Sequence, residues 1–409
     1  MDGTNQTALT YRYERMRAVS AGILETAGST FLLLIAVRWF HAGAVAKALV
    51  AAGGSIGLML TPLTVSWVAV SGWKASTAAA RLSLLGALAF VVMAIWPWQA
   101  VFVVGGMVAM AAASAMVPLM TQIYQENYPE RMRGRLFSRT VMIRIGAAAL
   151  FSEMAGRILT GGLGRFRWLL LLFTGAFLFS SYCLTRCPSR PLAVAGGAHP
   201  LRSWRCVRED RLFRYTLICW MLMGFANLMM YPLRVEYLAN PKYGLGLAVA
   251  LVALYTGVIP NLARLTMSPV WGWLFDHMNF FTLRIILNLG FALGILTFFM
   301  SKSTAGLVAG AIVFGVSNAG GDVAWSLWVT KFAPPERVAD YMAVHTFFTG
   351  VRGVLAPMAA FQGLAYVSFT TLGWISAGMI MAASLMLLPE IHSGPGRRSA
   401  AVLVEEVFE

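Results

Sequence analysis

Seven ionisable residues stand inside long apolar runs of this chain: Glu25, Arg144, Glu153, Arg157, Arg264, Asp322 and Arg352. A charge away from water is retained only where an opposite charge or water meets it, so each is a candidate functional group. Glu25 lies in Gly22-Ile23-Leu24-Glu25-Thr26-Ala27-Gly28-Ser29, among small neighbours that leave room for water or a solute. Its carboxylate suits proton or cation acceptance. The alternative is a structural carboxylate neutralised by an arginine such as Arg144. Glu153 and Arg157 are four residues apart and can pair on one helix face. Arg144 has no partner within its own segment, so it faces Glu25 or a solute.

The second half of the chain adds Arg264, Asp322, Arg352 and His345, with Asn227, Asn261, Asn288 and Asn318 as polar company. Asp322 follows Ser317-Asn318-Ala319-Gly320-Gly321, which reads as a polar, flexible break in its segment. Broken segments at mid-membrane are common places for solute and ion sites. Arg352 sits between Gly350 and Gly353, and an Asp322–Arg352 pair is expected, either permanent or opened by a proton or an anionic solute. Three arginines without obvious partners, Arg144, Arg264 and Arg352, favour an anionic or zwitterionic solute over a cation. Trp325 and Tyr255 are candidate cavity-lining aromatics, with Trp328 beside them.

The elements that must hold these residues follow from composition. The chain has 409 residues, 58% hydrophobic and only 12% charged. A soluble domain carries about one quarter charged residues. Apolar segments of about 20 residues recur without period-2 alternation, which points to membrane-spanning helices and excludes a barrel. Six are read at 18–39, 46–69, 78–97, 100–124, 138–160 and 168–186, and six more at 213–237, 247–270, 282–300, 305–330, 341–366 and 369–388. Residues 1–17 and 389–409 are then cytoplasmic ends. Residues 187–212, rich in Pro, Gly and Arg, form a linker between an N-terminal bundle (18–186) and a C-terminal bundle (213–388). No small-residue cleavage site follows residues 1–17, so the first span is expected to stay in place.

The net charge of +15 reflects membrane orientation rather than nucleic-acid binding. With both termini inside, twenty-one Lys and Arg fall in inside segments, Arg284 among them, and seven in outside segments. That bias predicts cytoplasmic termini in a bacterial-type inner membrane. The chain also looks built twice. Pro129-Glu130-Arg131 returns as Pro335-Glu336-Arg337, 206 residues on, and Pro62 and Pro269 are 207 apart.

The stretch Pro269-Val270-Trp271-Gly272-Trp273-Leu274-Phe275-Asp276 resembles the Gly-x-x-x-Asp signature of the major facilitator superfamily. The basic stretch from Tyr128 to Arg139, read as a loop, resembles that family's loop between helices 4 and 5. The resemblance covers nearly the whole chain and implies twelve transmembrane helices in two pseudo-symmetric six-helix bundles. At the N-half equivalent, from Pro62, Val65 replaces the glycine and Ala69 the aspartate. Span 4 carries no arginine and span 5 lacks the Gly-Pro pair of the family's drug–proton antiporters. The surviving motif predicts a close helix approach at Gly272. It also predicts a latch from Asp276 to Arg135 and Arg139, with Lys74 meeting Asp340 in the other half.

The resemblance implies secondary active transport of a small organic solute by alternating access. Glu25 and Asp322 are the candidate proton carriers. Arg144, Arg264, Arg352, Asn227, Asn318, Trp325 and Tyr255 are candidate solute contacts. Expected partners are the solute, protons and membrane lipid, with no nucleic acid, and the chain is expected to be a monomer. Alternatives are a drug or metabolite exporter of the proton-antiporter type and a transport-inactive receptor or scaffold of the same fold. An enzyme is disfavoured because the five His are scattered, and no phosphate-binding Gly-x-x-x-x-Gly-Lys loop is present. Cys183, Cys187, Cys206 and Cys219 read as free thiols, and neither metal nor cofactor is expected.

Overall fold

The computed structural model describes residues 3–191, 205–243, 245–331, 333 and 338–393. Among these residues the chain is helical, without a β-strand; an isolated bridge joins Lys74 to Pro191. The helices are α1 (Gly3–Thr26), α2 (Leu32–Arg38), α3 (Ala44–Met59), α4 (Thr61–Val70), α5 (Ala75–Ile95), α6 (Gln99–Ala115), α7 (Val117–Asn127), α8 (Glu130–Thr160) and α9 (Phe166–Thr185). After the linker come α10 (Arg205–Glu209), α11 (Arg211–Ala239), α12 (Val249–Ala253), α13 (Ile259–His277), α14 (Phe280–Met300), α15 (Thr304–Leu327), α16 (Val338–Gly363) and α17 (Phe369–Ser393). In hydrocarbon each backbone N–H and C=O must be satisfied within the segment, which is why uninterrupted apolar sequence becomes helix.

Among the described residues nine helical segments are long and apolar enough to cross a membrane, and α3 with α4, bent by 46°, makes a tenth. The segments expected at 138–160 and 341–366 are α8 and α16. Their apolar character is diluted by Arg139, Arg144, Glu153 and Arg157 in the first and by His345 and Arg352 in the second. Proline explains several interruptions. Pro62, Pro118 and Pro260 each occupy the first turn of a helix, where the missing N–H costs nothing but the preceding helix is broken.

Two expectations change here. The stretch from Tyr128 to Arg139 is not a loop: α8 begins at Glu130, with Pro129 in extended backbone just ahead of it. The glycine pair Gly320-Gly321 is not a break either, since α15 runs unbroken through it. These glycines serve packing instead. A Cβ on Gly320 would meet Leu287 at 2.3 Å, and one on Gly321 would meet Phe291 at 3.1 Å.

The halves are built alike at their centres. In the N-terminal bundle α3 crosses α6 at Gly57, where a Cβ would lie 2.2 Å from the Ala111 carbonyl oxygen. In the C-terminal bundle α15 crosses α13 at Gly315, where a Cβ would lie 2.3 Å from the Pro260 carbonyl oxygen. Such backbone contact is the usual means of holding helices together where lipid supplies no hydrophobic drive.

Hydrogen bonds tie the end that carries the termini. Arg17 donates to both Glu14 carboxylate oxygens at 2.7 Å, and Tyr124 donates to Glu14 at 2.5 Å. Asn127 donates to Thr10 at 3.0 Å and to the Pro188 carbonyl at 2.7 Å. Residues 10–17, expected to be an extramembrane end, are thus part of α1 and packed against α7. Cys187 is buried beside this cluster, and burial pushes its thiol up to about 12.

Two outcomes are expected. Gly57→Val should cost roughly 1–3 kcal/mol through overpacking. Gly378→Ala, in α17 with open space at its Cβ position, should be neutral or slightly stabilising. Melting temperatures of the two variants in detergent check this. For Cys187, the nucleophile is the thiolate, which is disfavoured until pH approaches the raised value. Maleimide labelling of a variant retaining only Cys187 should therefore be far slower at pH 8 than that of an exposed cysteine, and should accelerate as pH rises.

Candidate functional site

At mid-depth two helices widen. α1 passes into α2 through a π turn at Ala27–Phe31, and α12 passes into α13 through a π turn at Leu254–Val258. Single π turns within α-helices are rare and frequent at functional sites. The two turns face each other across the bundle interface, where the hydroxyls of Thr30 and Thr256 are 3.2 Å apart. The sequence gives little signal for either turn.

Four charged side chains gather beside these turns. Gly22 allows α1 to touch the backbone of α8, since a Cβ there would lie 2.2 Å from the Arg144 carbonyl oxygen. That contact sets Arg144 Nε 3.2 Å from Glu25 Oε2. From the other bundle, Arg264 Nη1 donates to Glu25 Oε1. Arg264 Nε donates to Asp322 Oδ2 at 2.5 Å, and Asn261 Oδ1 accepts a longer bond of 3.5 Å from Arg264. The result is an alternating chain, Arg144–Glu25–Arg264–Asp322, drawn from α8, α1, α13 and α15. Its formal charges cancel.

The expected Asp322–Arg352 pair is not formed. Asp322 and Arg264 meet because Gly315 seats α15 directly on α13, whereas Arg352 turns into the C-terminal bundle. There its Nη1 donates to the Trp220 carbonyl oxygen at 2.6 Å. Accessibility separates the members of the chain. The Glu25, Arg144 and Asp322 side chains are 29%, 34% and 40% exposed, while Arg264 is only 10% exposed. The carboxylates can therefore be reached from a crevice, and the arginine that joins them is the shielded element.

The crevice is closed at the end away from the termini. Lys47 Nζ lies 2.5 Å from Glu236 Oε1, which also accepts from Asn240 at 2.8 Å. Arg38 donates to the Leu247 carbonyl oxygen at 2.6 Å. Gly350 and Gly353 let α16 rest on α3, with Cβ positions 2.6 Å from Met59 N and 2.1 Å from Ser55 Oγ. The Lys47–Glu236 pair was not foreseen; Glu236 lies near the end of its segment, where a sequence reading takes it for a solvated charge.

At the termini end the bundles are not joined in this way. Asp276, Arg135 and Arg139 are exposed and form no ion pair with described side chains, so the expected latch is not closed in this structure. Gly272 has open space at its Cβ position, so no helix approaches it closely. The side chain of Asp340 lies outside the described residues. Lys74 makes a backbone bridge to Pro191 instead.

The remaining candidates are dispersed. Tyr255 lies within the second π turn and is buried in the apolar core. Asn227 and Asn318 are half-buried, and Trp325 is half-buried with its ring 5.7 Å from that of His345. Glu153 and Arg157 pair at 2.7 Å on an exposed face of α8, the expected i,i+4 contact. All four cysteines are free thiols and buried. Among the described residues no group of three His, Cys, Asp or Glu side chains could hold a metal.

Residues 78–357 match the sequence profile of the Major Facilitator Superfamily. The structure of the nucleoside transporter NupG superposes with a TM-score of 0.71 at 14% identity, covering 95% of this chain and 99% of that one. A D-xylose-proton symporter gives 0.67 at 16% identity over 94% and 96% of the two chains. The human organic anion transporter MFSD10 gives 0.66 at 15% identity over 95% and 100%. At these identities the likeness is one of fold. No curated protein matches the chain in sequence.

Removing Arg264 leaves two facing carboxylates without their common counter-charge, a loss of about 3 kcal/mol or more for a buried bridge. Arg264→Gln should therefore lower the unfolding midpoint clearly. Combining it with Asp322→Asn should cost about 1–3 kcal/mol less than the two single losses added together. Additive losses in that double-mutant cycle would mean the pair is not coupled.

Proposed function

The chain belongs to the major facilitator superfamily, and from that premise we propose that it is a proton-coupled secondary transporter of a small organic anion or zwitterion, working by alternating access. The observation that carries this reading is the charge chain that crosses from one bundle to the other with both of its carboxylates accessible. A neutral assembly of two acids and two bases changes net charge by one when a single carboxylate takes a proton. A monoanionic solute restores neutrality by taking the released guanidinium contacts of Arg144 or Arg264. Proton and anion are then favoured together, which is the thermodynamic requirement for symport.

Glu25 is the proposed switch. It holds Arg144 on its own bundle and Arg264 on the other, so its protonation loosens the mid-depth link between the halves. Asp322 is the second proposed proton carrier and keeps Arg264 oriented while Glu25 is neutral. In this arrangement the solute enters from the termini end, where Asp276, Arg135 and Arg139 form no ion pair with described side chains, and meets Glu25 and Arg144 first. We place that end on the cytoplasmic side of a bacterial-type inner membrane, following the Lys and Arg distribution. Two neighbours' names bear on this reading: the organic anion transporter matches the proposed charge of the cargo, and the D-xylose-proton symporter matches the proposed coupling ion.

The latch between Asp276 and Arg135 or Arg139 belongs to the opposite phase of the same cycle, when the termini end closes. Lys47 and Glu236 would part at that stage.

Counterflow of labelled organic anions and zwitterions in proteoliposomes tests the proposal. Accumulation should follow an imposed pH gradient in the wild type. Glu25→Gln should retain exchange across equal pH but lose accumulation driven by the gradient. Indifference of the wild type to the gradient would overturn proton coupling, and failure of the whole anion panel beside uptake of neutral sugars would overturn the solute class.

A further inference from the structure

The C-terminal bundle contains a second cationic centre that the transport proposal does not use. Arg284 in α14 and Arg352 in α16 are 2% and 9% exposed, and both converge on Trp220 of α11. The Arg284 guanidinium lies over the Trp220 ring at 3.8 Å, and Arg352 donates to the Trp220 carbonyl oxygen. The two arginines are electrostatic neighbours, and His345, fully buried, is within reach of both. Arg284, expected among the inside end charges, is carried into the bundle by the first turn of α14.

Among the described residues no carboxylate pairs with Arg284 or Arg352, in contrast to Arg17, Lys47, Arg144, Arg157 and Arg264, which all form ion pairs. Apart from its contact with Trp220, Arg284 donates to the sulfur of Met223 at 3.3 Å, a weak acceptor. Among the described residues, buried polar atoms without hydrogen-bond partners include Arg352 Nε, Trp220 Nε1, both His345 ring nitrogens, and the hydroxyls of Thr216 and Thr349, one turn before Trp220 on α11 and Arg352 on α16. All but the neutral imidazole's second nitrogen can donate. The N-terminal bundle shows the contrast, because its buried Arg17 is held by both oxygens of Glu14.

We propose that Arg284 and Arg352, with the indole of Trp220 and the hydroxyls of Thr216 and Thr349, form a binding site for a small monovalent anion inside the C-terminal bundle. Donors with few fixed acceptors suit a halide, or a triatomic carboxylate such as formate. Space sets the size limit. A Cβ on Gly224 would fall 1.9 Å from Arg352 Nη1, so α11 and α16 are already in contact and an extended solute cannot enter between them. The site is separate from the charge chain: it joins α11, α14 and α16 of one bundle, with Trp328, just after α15, stacking its ring 5.1 Å from that of Trp220. An anion held there stabilises the bundle as a unit and does not bridge the two halves.

The test uses purified full-length protein in detergent, exchanged into sodium gluconate and titrated with sodium chloride, bromide or formate at constant ionic strength. The melting temperature should rise saturably with anion concentration, as binding to the native state requires. Arg352→Gln should weaken the apparent affinity at least about tenfold. Arg284→Gln/Arg352→Gln should abolish the response, while Arg167→Gln, an exposed arginine elsewhere, should keep it. A halide response and a formate response each support the site and identify its occupant. A second reading needs only folded wild type and Trp220→Phe: iodide should quench tryptophan fluorescence saturably in the first and lose that component in the second. No saturable anion effect in the wild type, or an unchanged effect in the double variant, would overturn the proposal.

Discussion

Arg264 is the residue on which the interface depends. A guanidinium keeps its proton in a protein, and away from water a carboxylate is its strongest partner. Here it is met from both sides, by Glu25 of one bundle and Asp322 of its own. That need fixes several features at once. It requires α1 and α13 to approach at mid-depth, where their π turns touch through Thr30 and Thr256. It requires α15 to sit tightly on α13, which Gly315 permits. It also holds two partly exposed carboxylates, Glu25 and Asp322, on one shielded arginine.

The two bundles share architecture but divide the electrostatics differently. The N-terminal bundle neutralises its internal arginine with Glu14 and stacks Tyr124 on Tyr128 beside it. The C-terminal bundle buries Arg284 and Arg352 against Trp220, with Trp220, Trp328 and Phe280 in near-parallel layers, and Arg234 over Tyr231 and Phe314. A cation over an indole face gains some attraction but keeps its charge. The two bundles thus pack alike in the matched contacts at Gly57 and Gly315, while their polar interiors differ. The closed end relies on a third device, the Lys47–Glu236 pair with Phe361 beside the ammonium at 5.3 Å.

Much of this was legible in the chain itself. Apolar run length marks where helices occur, because the hydrocarbon thickness and the rise per residue are fixed. The intramembrane charges marked residues that the structure brings together, since Glu25, Arg144, Arg264 and Asp322 form one chain of ion pairs. Partnership was harder. Asp322 was assigned to Arg352 because both flank glycines in adjacent segments, and the actual partner, Arg264, depends on helix rotation that sequence spacing does not encode. The glycines of α15 looked like a hinge, yet in a membrane helix glycine more often marks a close neighbour than a break. Arg284 was misplaced because a charge near a span edge reads as a loop residue whether it turns outward or into the bundle. The π turns left no trace that ordinary helix signals detect.

The central claim is that the charge chain links the two bundles at mid-depth and that neutralising it releases them. Spin labels on cysteines introduced at Ser138 and His277, exposed positions at the termini end of each bundle, would report the separation directly by pulsed electron resonance. The account predicts that Glu25→Gln/Asp322→Asn shifts the distance distribution relative to the parent protein at the same pH, with new population at shorter separation. Superimposable distributions in the two proteins would contradict it.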